Sequence, residues 1–203
     1  MKKYLSLFLL CASMLMVAQP KKAPKMAPVF TPGYYVSNKG DTVRGQVQVN
    51  PDDATEFYKK FGFKAGNAAK PAFIDSKKAK AYGFDGRHFV FVNYDGEDIY
   101  LERLAQGRVN FFEYKFNGSV NGYPAVESSY YAQDTRGEGK YMSLREIKKI
   151  SNRFYKKDLE NYLRDQSMVW NDLDKYTFNR EKVISAINEF NKFYVVVPTT
   201  EEE

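Results

Sequence analysis

The hydrophobic period of this chain changes once, near Met142, and that change constrains the fold more than any single residue does. From Gly33 to about Met142 apolar residues alternate with polar ones between clusters of turn residues. In the run TVRGQVQV, Val43, Gly45, Val47 and Val49 alternate with Arg44, Gln46 and Gln48. Alternation sends successive side chains to opposite faces of a sheet, so this run reads as a strand with one buried face. Asp95-Gly96 stands between RHFVFVNY and DIYLERLA, and both residues tolerate the positive φ of a two-residue hairpin turn. Asn38-Lys39-Gly40-Asp41 separates GYYVS from TVRGQVQV in the same way, and Gly107 turns the chain into RVNFFEYKF. A last strand pair is expected at 128–132 and 140–142, across the turn-rich residues 133–139. EFYKKFGF (56–63) suits either a short helix or a strand, and GNAAKP (66–71) reads as loop.

After Met142 the period approaches 3.6. Ser143 and Glu146 have the spacing of a capping box, in which each side chain satisfies the other's backbone N–H. Leu144, Ile147, Ile150 and Phe154 then fall on one helical face, and Leu159, Tyr162 and Leu163 continue a second stretch. Trp170 and Leu173 lie in a short connecting piece. A final helix is expected from Asn179, with Val183, Ile187, Phe190 and Tyr194 on one face; Val195–Val197 then reads as a short apolar strand before Pro198. Strands followed by helices predict an α+β domain: an antiparallel sheet of meanders and hairpins, then two or three C-terminal helices packed on it.

The ends of the chain are of a different kind. Lys2 and Lys3, the apolar run Leu5–Val17 and the small residue Ala18 read as a secretory signal peptide over residues 1–18, too short in its apolar part to span a bilayer. Residues 19–32 carry four prolines among lysine and alanine and read as an extended linker. A β-rich region over 33–142, a helical region of the same domain over 143–197 and an acidic tail over 198–203 complete the predicted organisation. Cys11, the one cysteine, falls within the signal peptide, so the mature domain is expected to have no disulfide, thiolate metal site or cysteine nucleophile. No later segment is apolar enough to suggest a transmembrane helix.

Without the signal peptide the chain has 29 basic and 25 acidic residues. Residues 21–80 hold twelve Lys/Arg against five Asp/Glu, whereas residues 143–203 balance at eleven each. The basic segment reads mainly as a solvated lysine-rich surface. Export argues against a nucleic-acid partner.

The order of three motifs carries a resemblance. GYYVSNKGDTVRGQV (Gly33–Val47), YLERLAQGRVNFFEY (Tyr100–Tyr114), and SYYAQD ahead of a helical end finishing in NEFNKFY together resemble a family of uncharacterised exported proteins common in Bacteroidetes. The resemblance covers most of the mature chain and implies export to the periplasm, the outer membrane or the medium. Some members of that family look as though they continue into an outer-membrane β-barrel. The family implies no catalytic residue, cofactor or metal ligand at any position here.

Residues able to do chemistry are few. His88, the one histidine, opens a strand beside the Asp85-Gly86 turn and reads as a surface residue. Glu97 and Asp98 read as solvating the neighbouring turn, and Glu102 shares a strand face with Tyr100. Asn50, Asp52 and Asp53 lack calcium-loop spacing, and Asn171, Asp172 and Asp174 read as a polar helix connection. Phe111 and Phe112 point to opposite faces of one strand, as do Tyr130 and Tyr131. They are expected under the C-terminal helices, or exposed for stacking on a sugar or a partner. No catalytic, cofactor-binding or metal-ligating residue is assigned. The expected function is a non-enzymatic module binding an envelope protein or envelope component. The alternatives are a carboxylate-dependent hydrolase of envelope glycan or peptide, and a small-ligand carrier.

Overall fold

A computed structural model describes residues 27–66, 70–137, 142 and 145–194. Its ten strands are β1 (Val29–Ser37), β2 (Thr42–Val49), β3 (Phe61–Lys64), β4 (Ala72–Ile74), β5 (Ala79–Phe84), β6 (Arg87–Tyr94), β7 (Glu97–Ala105), β8 (Val109–Val120), β9 (Tyr123–Asp134) and β10 (Lys148–Ile150). They form one antiparallel sheet in the order β10-β9-β8-β7-β6-β5-β1-β2-β3-β4. Helices α1 (Tyr155–Leu163), α2 (Ser167–Asp172) and α3 (Arg180–Lys192) follow, which is the α+β architecture that the change of period predicts. No helix among the described residues is long and apolar enough to cross a membrane.

The strand order forces the N-terminal half to curl. β4 ends at Ile74 and β5 begins at Ala79, yet three strands lie between them in the sheet. Four strand spacings of a flat sheet measure about 19 Å, whereas the five Cα steps of the link reach about 17 Å at most. β1–β4 therefore bend over, and the link runs across the β1–β2 turn, where Asn38 Nδ2 donates to the Lys77 carbonyl at 2.7 Å. Eight of the eleven buried residues inside this curl are aromatic. Tyr82 lies stacked between Phe61 at 3.9 Å and Phe89 at 4.6 Å, and its hydroxyl donates to the Phe57 carbonyl. A single 3₁₀ turn, Glu56–Tyr58, closes the curl. EFYKKFGF thus contains both readings, a helical turn and then strand β3.

The other half of the sheet is covered by helices. Asn179 caps α3 by accepting from the Lys182 N–H at 3.0 Å, and Val183, Ile187 and Phe190 are fully buried, as their spacing predicts. Leu159, Tyr162 and Leu163 of α1 join them in a cluster with Val109, Phe111, Tyr130 and Ala132 of the sheet. Phe112 and Tyr131 face the opposite way, into a smaller cluster with Ile99 and Leu101. One member of each aromatic pair is therefore under the helices, and the other is buried rather than exposed.

Four expectations need correction. Residues 29–32 belong to β1 and not to the linker. Pro32 is tolerated there because β5 joins β1 only from Gly33 onward, so its missing N–H faces no neighbour on that side. β9 pairs with β8 through Asn121-Gly122, both at positive φ, along twelve residue pairs; the partner expected at 140–142 falls largely outside the described residues. Lys148–Ile150 is a strand and not part of a helix, because its backbone pairs with the other side of β9 and Ile150 turns into the core. α1 accordingly starts at Tyr155. Trp170 lies in helix α2 rather than in a connecting piece. Residues 1–26, Ser143, Leu144 and Val195–Val197 lie outside the described residues.

Candidate functional site

Between the two cores runs a polar seam. Glu102 of β7 and Glu113 of β8 are cross-strand partners, and both are buried. Their Cβ atoms are about 5 Å apart in such a pair, a spacing at which like charges repel. Each carboxylate is therefore matched by its own arginine. Arg87 donates from Nε and Nη2 to Glu102 at 2.8 and 2.6 Å, Tyr58 adds its hydroxyl at 3.0 Å, and the guanidinium lies over the Phe89 ring at 4.8 Å. Arg180 at the start of α3 donates to Glu113 from Nη2 at 3.1 Å, while Ser128 donates at 2.8 Å and Tyr130 at 3.3 Å. Burial pushes the Glu102 carboxyl up, but the hydrogen bonds and charge of Arg87 outweigh it and hold the group below the usual carboxylate range. A glycosidic general acid needs the opposite shift.

The other residues singled out in the sequence are dispersed. Glu97 and Asp98 are exposed beside their turn, where Asp98 accepts from Asn93 at 2.7 Å and Ser76 at 2.9 Å. Asp53 accepts from the Thr55 N–H and hydroxyl, and Asn50 accepts from the Asp52 N–H, so these groups shape a loop. Asp174 accepts from the N–H groups of Tyr176 and Thr177, while Asn171 and Asp172 are exposed on α2. Among the described residues no three His, Cys, Asp or Glu side chains stand together as metal ligands do. His88 is more enclosed than expected: its Nδ1 and the Tyr34 hydroxyl share a hydrogen bond at 2.6 Å. Burial, helped by Arg103, pushes its imidazolium down to about 4, so the ring is neutral at pH 7.

The arrangement best suited to bind something lies on the helices. A groove of about 640 Å³ is lined by three aromatic residues, Phe154, Trp170 and Tyr176, and by the cations Arg153, Lys156, Lys157 and Lys175, with Glu160 as its one carboxylate. Phe154 and Tyr176 are 56% and 80% exposed, which leaves their ring faces available for stacking. The cations stand over the rings: Arg153 is 5.2 Å from the Phe154 centroid, Lys156 5.1 Å from Trp170 and Lys175 5.3 Å from Tyr176. The floor is tied down, since Lys156 Nζ donates to the Leu173 carbonyl at 2.6 Å and the Tyr155 hydroxyl to that of Asp174. Exposed rings, each with a cation over one face, suit a ligand that has flat or sugar rings and acidic groups.

Sequence reasoning missed this groove because residues 143–203 balance in charge. The structure separates the two signs. Asp158 accepts from the Ser151 N–H at 2.8 Å, Asp165 pairs with Arg108 and Arg164, and Asp174 caps its own turn, which leaves the cations of RFYKK (153–157) facing the groove. The interleaving of basic and aromatic residues in that run was the available signal. Comparison with known protein families, with curated proteins and with solved structures finds no match.

Proposed function

We propose that the protein is an exported, non-enzymatic binding module of the cell envelope, and that the groove around Trp170 takes an acidic saccharide component of that envelope. The observation that carries this reading is the alternation of three ring faces with four cations in one groove. Export is supported by the signal-like residues 1–18 and by the resemblance to exported Bacteroidetes proteins. The seam does not favour a hydrolase, since both of its carboxylates are engaged by arginine.

Trp170 is the one tryptophan, so its fluorescence reports on this groove alone. Titration of residues 19–203 with oligogalacturonate is expected to change that fluorescence saturably, with neutral maltooligosaccharide giving a much smaller response. Tyr176→Ala and Lys157→Ala are each expected to weaken binding by roughly tenfold, as loss of a stacking face or a charge-assisted contact does. No response to either saccharide, or equal responses to both, would rule the reading out.

A further inference from the structure

We infer that the acidic saccharide proposed for the Trp170 groove, on which reading this inference rests, is a polymer, and that its chain continues past Arg153 into a second subsite at the open edge of β9. The subsite is a notch where two paired strands part. β10 pairs with β9 at Ala132, Tyr131 and Tyr130 and ends at Ile150, while β9 runs back to Tyr123. From Ser129 toward Tyr123, that side of β9 therefore has no strand beside it among the described residues. Every second residue of such an edge turns a backbone N–H and C=O outward, a donor and an acceptor that suit the hydroxyls of a sugar. At this point the surface forms a groove of about 540 Å³ lined by Phe116, Lys149, Asn152 and Arg153, with Glu127 and Asp158 as its carboxylates.

Arg153 lines this notch and the Trp170 groove alike, so the two meet at its side chain. It stands on a turn fastened at both ends. Asp158 accepts from the Ser151 N–H at 2.8 Å, and the Phe154 N–H donates to the Ser151 carbonyl at 3.2 Å, which holds the junction between β10 and α1. The carboxylates of the notch are engaged, Asp158 by that bond and Glu127 by the Ser119 N–H at 3.0 Å. Lys149 and Asn152 are exposed, and neither side chain has an ion pair or hydrogen bond among the described residues. A half-buried ring at Phe116, an ammonium at Lys149 and an amide at Asn152 repeat the chemistry of the first groove on a smaller scale. Each groove alone has the size of a site for one small ligand, about 300–1,000 Å³. Joined at a shared cation, they fit a ligand whose units repeat.

Trp170 fluorescence measures the affinity of residues 19–203 for ligands of two lengths: digalacturonate, short enough for one groove, and a galacturonate octamer. The octamer is expected to bind roughly a hundredfold tighter, as a second linked contact allows. A longer chain also offers more registers to the first groove alone, a gain that Lys149→Ala leaves intact, so this variant separates the two causes. Lys149→Ala is expected to weaken the octamer by roughly tenfold, the loss typical of a charge-assisted contact, and to leave digalacturonate unchanged. Asn152→Ala should do the same severalfold, whereas Arg153→Ala should weaken both lengths. Unchanged far-UV circular dichroism in each variant serves as the fold control. Equal affinity for the two lengths, an octamer affinity that Lys149→Ala does not lower, or a loss shared equally by both lengths in that variant would overturn the second subsite and leave the first groove standing. No response to either saccharide would overturn the reading of the first groove as well.

Discussion

The two cores of this protein solve one problem with different materials. Among the described residues the helix-covered half buries sixteen, five of them aromatic, because α1 and α3 bring aliphatic ridges that fill the space above β7–β10. Among the described residues the curled half has one 3₁₀ turn as a lid, and eight of its eleven buried residues are aromatic. A curl without helices must fill its own interior from its strands, and large rings cover the most area per residue. The seam of Glu102 and Glu113 lies between these clusters. It joins them through Tyr58 on one side and Arg180 on the other.

The largest effect is expected from Phe61→Ala. Phe61 is 1% exposed and stacks on Tyr82, so its loss should cost about 4 kcal/mol of stability. Urea unfolding followed by Trp170 fluorescence, which reports from the helical half, and by far-UV circular dichroism measures this. Coincident shifts would mean that the two cores unfold as one unit, whereas an unmoved fluorescence midpoint would mean they are separately cooperative.

Glu113→Ala comes next, at about 2 kcal/mol, because it leaves Arg180, Ser128 and Tyr130 without their shared acceptor. If the seam joins the two cores, this variant should also separate their transitions; a small loss with the transitions still coincident would show that apolar packing alone connects them.

Acid gives the mildest comparison. His88 titrates near 6.5 in an unfolded chain and at about 4 in the folded one. Between those values the unfolded chain binds the additional proton, so stability falls as pH drops through that window and levels off below it. Glu102, whose folded value is depressed, contributes stability that is present above its unfolded value near 4.3 and lost as pH falls through the folded one. A His88→Asn variant should therefore lose the decline between pH 6.5 and 4 and keep the steeper one below it. The urea midpoint at successive pH values checks this.

Much of the fold could be read in the residues. Asp95-Gly96 and the alternation of Val43, Val47 and Val49 are local signals, and so are the Asn179 cap and the stripe Val183, Ile187 and Phe190. Each depends on neighbours within about one turn or one hairpin, where covalent geometry restricts the choices. Asn121-Gly122 is a signal of the same kind that the reading passed over. Lys148–Ile150 is different: its spacing suits a helix, and it became a strand because the open side of β9 offered hydrogen bonds that a helix would have left unmet.

The candidate sites follow the same division. Residue types and spacing specified a sheet followed by helices, a single cysteine near the start of the chain, and a shortage of conventional catalytic groups. They left undecided which charges would meet. Glu102 and Arg87 are fifteen residues apart, Glu113 and Arg180 sixty-seven, and Tyr34 and His88 fifty-four. The groove likewise needs Asp158, Asp165 and Asp174 to be engaged elsewhere before Arg153, Lys156, Lys157 and Lys175 can act together. Backbone geometry acts over a few residues and is written locally. Charge pairing and ring stacking act through space, so they are settled only when the curl and the helical cover bring distant segments within a few ångströms.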